Sequence, residues 1–349
     1  MLLLLLLITV TAFGGEVLSL VRPAHMQLVR ENALPVVVSA DPTKVKELIV
    51  TVVKESFPVE LAPAPFEVKE LPAGATVDRK VLPVKPGKKF YCTHVKLDYG
   101  INEVRVVAVL KDNTTEEEAR KVYLYHPLLI PYKYPPKEFQ PRFFHTDEQE
   151  SRCAACHDMS RPPKPKKNQP LEQLPPCVEC HKPVNTKNAY KHAPSKFWLC
   201  VFCHTGEAGK LNRRFAGKTK YLAPEPVGDS CYECHEEKLE DLELMRFHHV
   251  PVLTGKCNIC HNPHGSDERF FLRLPKWELC VSCHEDKAFR GHVVFTITGK
   301  PHPTRGVKDP RFPKKELSCS SCHNPHHSDY DFLLYEPFRE LCASCHSAQ

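Results

Sequence analysis

The pattern Cys-x-x-Cys-His occurs eight times between residues 153 and 346, and no other feature of the 349-residue chain restricts its possible folds so severely. The pentads open at Cys153, Cys177, Cys200, Cys231, Cys257, Cys280, Cys319 and Cys342. Their second cysteines are Cys156, Cys180, Cys203, Cys234, Cys260, Cys283, Cys322 and Cys345. The histidines that follow are His157, His181, His204, His235, His261, His284, His323 and His346. A thioredoxin-like redox pair needs a single Cys-x-x-Cys, and structural zinc draws four ligands from paired units. A disulfide framework needs no histidine at fixed spacing. None of these explains a histidine after every second cysteine. Covalent haem does: two thiols add to the two vinyl groups of the porphyrin while the adjacent imidazole reaches the iron from the same face. The expectation is eight covalently attached haem c groups, with the eight pentad histidines as iron ligands.

Sixteen of the 17 cysteines and 17 of the 20 histidines lie between residues 145 and 346, so the chain divides into two modules. From the first pentad to the last, 194 residues serve eight haems, about 24 residues each. That is too little polypeptide to wrap each porphyrin in its own apolar pocket. The macrocycles are therefore expected to pack against one another, with loops and short helices around them. The proline- and lysine-rich run at residues 161–167 fits that picture.

Nine further histidines in this half could supply sixth ligands. His145, His192 and His249 each stand eight residues before the first cysteine of a pentad, the latter two within His-x-Pro. His264 and His326 stand seven residues after a first cysteine, in Cys-His-Asn-Pro-His. His292 and His302 lie in the 34-residue gap between two pentads. The eighth is His248 or His327, between which spacing does not choose. Met159 and Met245 are alternative ligands on chemistry alone. Which haem each of these histidines serves is not legible in the spacing.

The stretch CNICHNPHGSDERFFLRLPKWELCVSCH, from Cys257, returns 62 residues later as CSSCHNPHHSDYDFLLYEPFRELCASCH, with 17 of 28 positions identical. This pair resembles the doubled motif of multihaem c-type cytochromes. The resemblance covers the C-terminal 60 per cent of the chain. It implies bis-histidine haems in alternating stacked and T-shaped pairs and a role in electron transfer, in a family that includes periplasmic carriers, outer-membrane conduits and subunits of extracellular cytochrome filaments. His327 departs from the family pattern, which has glycine after Pro-His, as Gly265 does in the first copy.

Before residue 127 the periodicity is two. Val104, Val106, Ala108 and Leu110 fall on one face of a strand, and the runs at residues 46–54 and 121–125 read as further strands. An antiparallel β-sandwich is the best fit. The segment Leu97-Asp-Tyr-Gly-Ile-Asn-Glu-Val is similar to a strand pair of bacterial immunoglobulin-like domains. The expected organisation is a signal peptide over residues 1–15, a β-sandwich domain over 16–126, a proline-rich linker over 127–144 and an octahaem domain over 145–349. Cys92, in the first module, is expected as a buried thiol on its strand, with an intermolecular disulfide as the alternative.

The opening MLLLLLLITVTAFGG carries an apolar run of about ten residues, the size of a signal-peptide core and shorter than the roughly 20 needed to span a bilayer. Export to the periplasm or cell surface is the expectation, with no transmembrane segment after cleavage. The net charge of +6 comes from 48 basic and 42 acidic residues that are interspersed, which argues against nucleic-acid binding. The sequence thus reads as an exported octahaem c-type cytochrome, with no catalytic residue. Its expected partners are other redox proteins or extracellular electron acceptors, and copies of itself in a filament. The competing readings are a discrete periplasmic carrier and an octahaem oxidoreductase of the nitrite, hydroxylamine or tetrathionate type, which would need an open iron position.

Overall fold

The computed structural model describes residues 17–55, 64–69, 71–163, 174–186, 188–296 and 298–346. The expected signal peptide lies outside the described residues. The chain forms two compact units. One holds the strands up to Tyr125 together with Pro135–Pro141; the other holds His126–Tyr134 and everything from Arg142 onward.

The first unit is built from β1 (Leu18–Arg22), β2 (Gln27–Val29), β3 (Ala33–Ala40), β4 (Val45–Lys54), β5 (Thr76–Pro83), β6 (Phe90–Lys96), β7 (Gly100–Leu110), β8 (Thr115–Leu124) and β9 (Gln140–Pro141). They form a three-stranded sheet, β1-β3-β6, and a six-stranded sheet, β5-β4-β7-β8-β2-β9. All pairings are antiparallel except those of β2 with β8 and β9. Alternation does the folding. Val50 and Val52 of β4 stand opposite Val106 and Val104 of β7, and all four are fully buried. They share one core with Val36 and Val38 from β3 of the other sheet. Each such side chain contributes roughly 1.5–3 kcal/mol by leaving water. Val104, Val106 and Ala108 line the face expected from sequence, with Leu110 packed against its edge.

Asn102 explains the Gly-x-Asn spacing before β7. It is fully buried, donates from Nδ2 to the carbonyls of Asp98 (2.7 Å) and Gly100 (3.0 Å), and accepts the Asp98 N–H at Oδ1 (3.0 Å). Gly100 has φ of +86°, a conformation that a side chain disfavours. Cys92 differs from expectation: it lies on β6, an edge strand, with its side chain facing out and exposed. Odd and even positions of a strand face opposite sides, and Tyr91 takes the buried side. Within residues 127–144 a short helix, Ile130–Lys133, and strand β9 are formed.

The second unit is made of short helices and turns joined by small two-stranded ladders. Its buried apolar side chains are few, among them Val201, Phe202, Trp277, Val281 and Leu341. Many large ones are exposed, such as Phe289 (72%), Val293 (67%) and Phe332 (83%). Apolar surface on this scale calls for a covering group. Among the described residues no helix is long and apolar enough to cross a membrane.

Candidate haem-binding site

Each pentad is a single helical turn. The backbone N–H of the histidine bonds the carbonyl of the first cysteine in seven pentads, for example His204 to Cys200 (2.9 Å) and His323 to Cys319 (3.0 Å). The remaining one, around His181, lies within the helix Cys177–Thr186. Positions i, i+3 and i+4 of a helix share a face, so the turn sends both thiols and the imidazole the same way. The first cysteines of consecutive pentads also meet: Cys177 hydrogen-bonds Cys200, Cys231 bonds Cys257, and Cys280 bonds Cys319.

Opposite seven of the pentad histidines stands a second histidine. The ring centres of His145 and His181 are 6.0 Å apart, those of His192 and His235 6.3 Å, and those of His204 and His264 6.1 Å. For His249 and His284 the separation is 6.2 Å, for His261 and His326 6.1 Å, and for both His292 with His323 and His302 with His346 6.2 Å. His292 with His302 (6.4 Å) and His326 with His327 (6.2 Å) come equally close, so what marks the seven is that each matches one pentad histidine with one other histidine, at interplanar angles from 7° to 81°. Two rings that bind one metal through bonds of about 2 Å have centres roughly 6 Å apart at any relative twist. The donor set and its spacing fit a six-coordinate haem iron between each pair.

The ring nitrogens away from these gaps are held by neighbours. Nδ1 of His192 faces the Pro263 carbonyl (2.9 Å), that of His249 the Pro325 carbonyl (3.1 Å) and that of His302 the Pro303 carbonyl (3.0 Å). His204, His261 and His323 likewise donate to the carbonyls of Tyr221, Phe270 and Phe332. A carbonyl at Nδ1 fixes the proton there and leaves Nε2 its lone pair for a metal. His145 and His157 instead donate to carboxylates, Glu150 (3.0 Å) and Glu179 (2.7 Å). At His292 the polarity reverses, because Nδ1 accepts the Val294 N–H at 3.2 Å. Burial holds His192, His249 and His292 below the ordinary histidine value and lowers His326 to about 4, so these rings are neutral at neutral pH.

His248 and His327 stand opposite each other in the ladder of Phe247–His248 with His327–Ser328. The Nε2 atom of His248 is buried without a hydrogen-bond partner. That of His327 is 2.8 Å from Asp241 Oδ2, an ion-pair distance at an angle too poor for a hydrogen bond. Neither is brought to His157, the one pentad histidine that no second imidazole faces among the described residues. Of the histidines before residue 127, His25 accepts the Lys121 N–H and His126 those of Leu128 and Leu129 at Nδ1, the polarity opposite to that of most of the facing rings.

Sequence reasoning missed the holders Glu150, Glu179 and Lys220. Thr146 caps the helix Asp147–Ser151, which carries Glu150. Glu150 is 4% exposed and bonds both His145 and Lys220. Burial would raise its pKa, but the hydrogen bonds from Lys220 and His145 outweigh that and hold it below the usual carboxylate range. No local sequence signal marks these residues.

The pairs of thiols, the histidine turns and the facing rings define a multihaem c-type cytochrome with doubled CXXCH motifs, whose motifs bind haem c covalently. The family described as the doubled CXXCH motif matches residues 249–289 and 312–349. The chain is similar to the multiheme cytochrome MtrA of Shewanella baltica (strain OS185), 26% identical over 189 residues that make up 49% of this chain and 52% of that one. It thus spans about half the length of the curated relative it matches. Among solved structures it is similar to the fibronectin(III)-like modules of Clostridium thermocellum CbhA, with 14% identity over 31% of this chain and 94% of that one and a TM-score of 0.19. A superoxide reductase from Ignicoccus hospitalis matches with 10% identity over 31% and 78% of the two chains and a TM-score of 0.22. At such scores neither carries an argument.

Proposed function

We propose that this chain is an exported octahaem electron-transfer protein, in which haems bound at the eight pentads, seven of them between facing histidines, pass electrons along the second unit. The observation that carries the reading is the set of seven histidine pairs at one common separation. When bound, haem supplies the one-electron couple. The chain's own residues would anchor it through the thiols, hold it through the imidazoles and, at rings such as His192, His204, His249, His261, His302 and His323, fix the imidazole proton at Nδ1. Contacts between cysteines of consecutive pentads support close spacing of neighbouring haems. No catalytic residue is assigned.

The first unit is read as an immunoglobulin-like β-sandwich, supported by the single core that its two sheets share and by the Asn102 clamp. It acts as a docking or surface module on this reading, with other redox proteins or extracellular acceptors as partners. A filament subunit and a discrete carrier share this haem chemistry, and electron microscopy of the purified protein separates them. The ligation reading is tested by mutating facing histidines. His264→Ala should turn one ferric haem from low to high spin, and a spectrum unchanged by it would refute the pairing with His204.

A further inference from the structure

The facing histidines follow a rule that extends to a position where the sequence has no histidine. The fifth pentad opens at Cys257, and seven residues on His264 faces His204 of the third pentad. The seventh opens at Cys319, and seven residues on His326 faces His261 of the fifth. Each odd-numbered pentad thus sends its seventh-following residue back to the odd pentad before it. Applied to the third pentad, which opens at Cys200, the rule sends residue 207 to His157 of the first. That residue is Glu207.

Local geometry supports the equivalence. In the fifth and seventh pentads the N–H of the facing histidine bonds the side-chain oxygen two residues earlier, His264 to Asn262 and His326 to Asn324, both at 3.1 Å. The N–H of Glu207 makes the same bond to Thr205 Oγ1, also at 3.1 Å. The turn is held on both sides. The Thr205 carbonyl accepts from Arg161, four residues past His157, at 2.6 Å, and the Gly206 N–H bonds the Leu222 carbonyl at 2.8 Å. Gly206 has no room for a side chain, since a Cβ there would lie 2.6 Å from the Lys220 carbonyl. The turn shares the side-chain hydrogen bond of its histidine-bearing counterparts but not their whole backbone, since Gly206 has φ of +84° where the counterparts carry Pro263 and Pro325, and it carries a carboxylate in the histidine's place.

We propose that the haem anchored at Cys153 and Cys156 is a ligand-binding haem, its iron held by His157 on one face and open on the face of Glu207 to a small neutral molecule. This rests on the ligation reading above. Glu207 is exposed, so its carboxylate disfavours anions by a like-charge repulsion that water and salt moderate. Glu179, which accepts the His157 Nδ1 proton, makes that imidazole a stronger donor to the iron than a carbonyl-bound ring.

The test uses the full-length holoprotein and carbon monoxide as the probe. The reduced protein should bind carbon monoxide at about one haem in eight, and the oxidised protein should show a matching high-spin fraction. Glu207→His should abolish both signals with the number of bound haems unchanged, whereas Glu207→Gln should keep the carbon monoxide site and newly admit azide. A wholly low-spin protein that binds no carbon monoxide would overturn the proposal. So would binding that appears only on dilution, which would place the sixth ligand on a second molecule, or binding that survives in Glu207→His. His264→Ala separates the two levels: it should add a second carbon-monoxide-binding haem, and if it does not, the ligation reading fails rather than this proposal.

Discussion

Glu150→Gln isolates how a buried carboxylate sets the behaviour of one haem. Glu150 keeps a charge-assisted hydrogen bond to His145, whose ring faces His181 at 6.0 Å. Such bonds contribute about 1.5–3 kcal/mol. The glutamine has the same shape but no charge, so it removes the carboxylate's preference for the more positive, oxidised iron. Lys220, left with Asp147 at 2.8 Å as its remaining acidic partner, would add positive potential in the same direction. If about 1 kcal/mol of the bond discriminates between oxidation states, the potential of that haem rises by roughly 40 mV, from the equivalence of 1.4 kcal/mol with 59 mV for a one-electron couple. Spectroelectrochemistry of the purified variant, followed by the low-spin signals, reads this shift. The control is Glu148→Gln, which alters an exposed carboxylate on the same helix, 78% exposed and 3.7 Å from Arg152. A shift to lower potential, or equal shifts in the variant and the control, would refute the reasoning.

Removing the ring of His249 in His249→Ala should turn about one ferric haem in eight high-spin, while His25→Ala leaves the spectrum as it is; electron paramagnetic resonance checks both. Asn102→Ala strips the clamp before β7 and should destabilise the first unit by about 1–3 kcal/mol, measured by denaturant unfolding of its β signal. Burial, with the Arg273 charge as the smaller cause, lowers the pKa of His126 from 6.5 to about 3. The unfolded segment therefore takes up a proton that the folded one refuses as pH falls below 6.5, and the protection of the Leu129 amide, which donates to His126, should fade between 6.5 and about 3 in hydrogen exchange.

The haem anchors are legible because covalent attachment requires an invariant order of Cys, Cys and His over five adjacent residues, and one helical turn suffices to present them. Seven of the facing histidines were also legible, as spacing classes around the pentads or, for His292 and His302, as the isolated pair in the long gap. Their partners were not, since His145 passes over the pentad beside it and faces His181, a choice made by tertiary packing. His248 shows the limit most clearly. It neighbours His249 in sequence, yet the ladder with His327 turns it to the opposite side. The β unit was read from valine alternation, whereas the parallel insertion of β2 between β8 and β9 depends on chain path that no periodicity records. Cys92 was misjudged because an apolar residue type says less than its parity on the strand.

The number of haems that the chain carries decides most directly whether every pentad is used. Intact-mass spectrometry of the purified holoprotein, with a parallel haemochrome assay, measures it without reference to any ligand or partner. Eight covalent haem increments are predicted, one for each pentad from Cys153 to His346. A mass showing fewer, or haem released by acidified organic solvent, would contradict the claim that every pentad holds a haem through its two thiols.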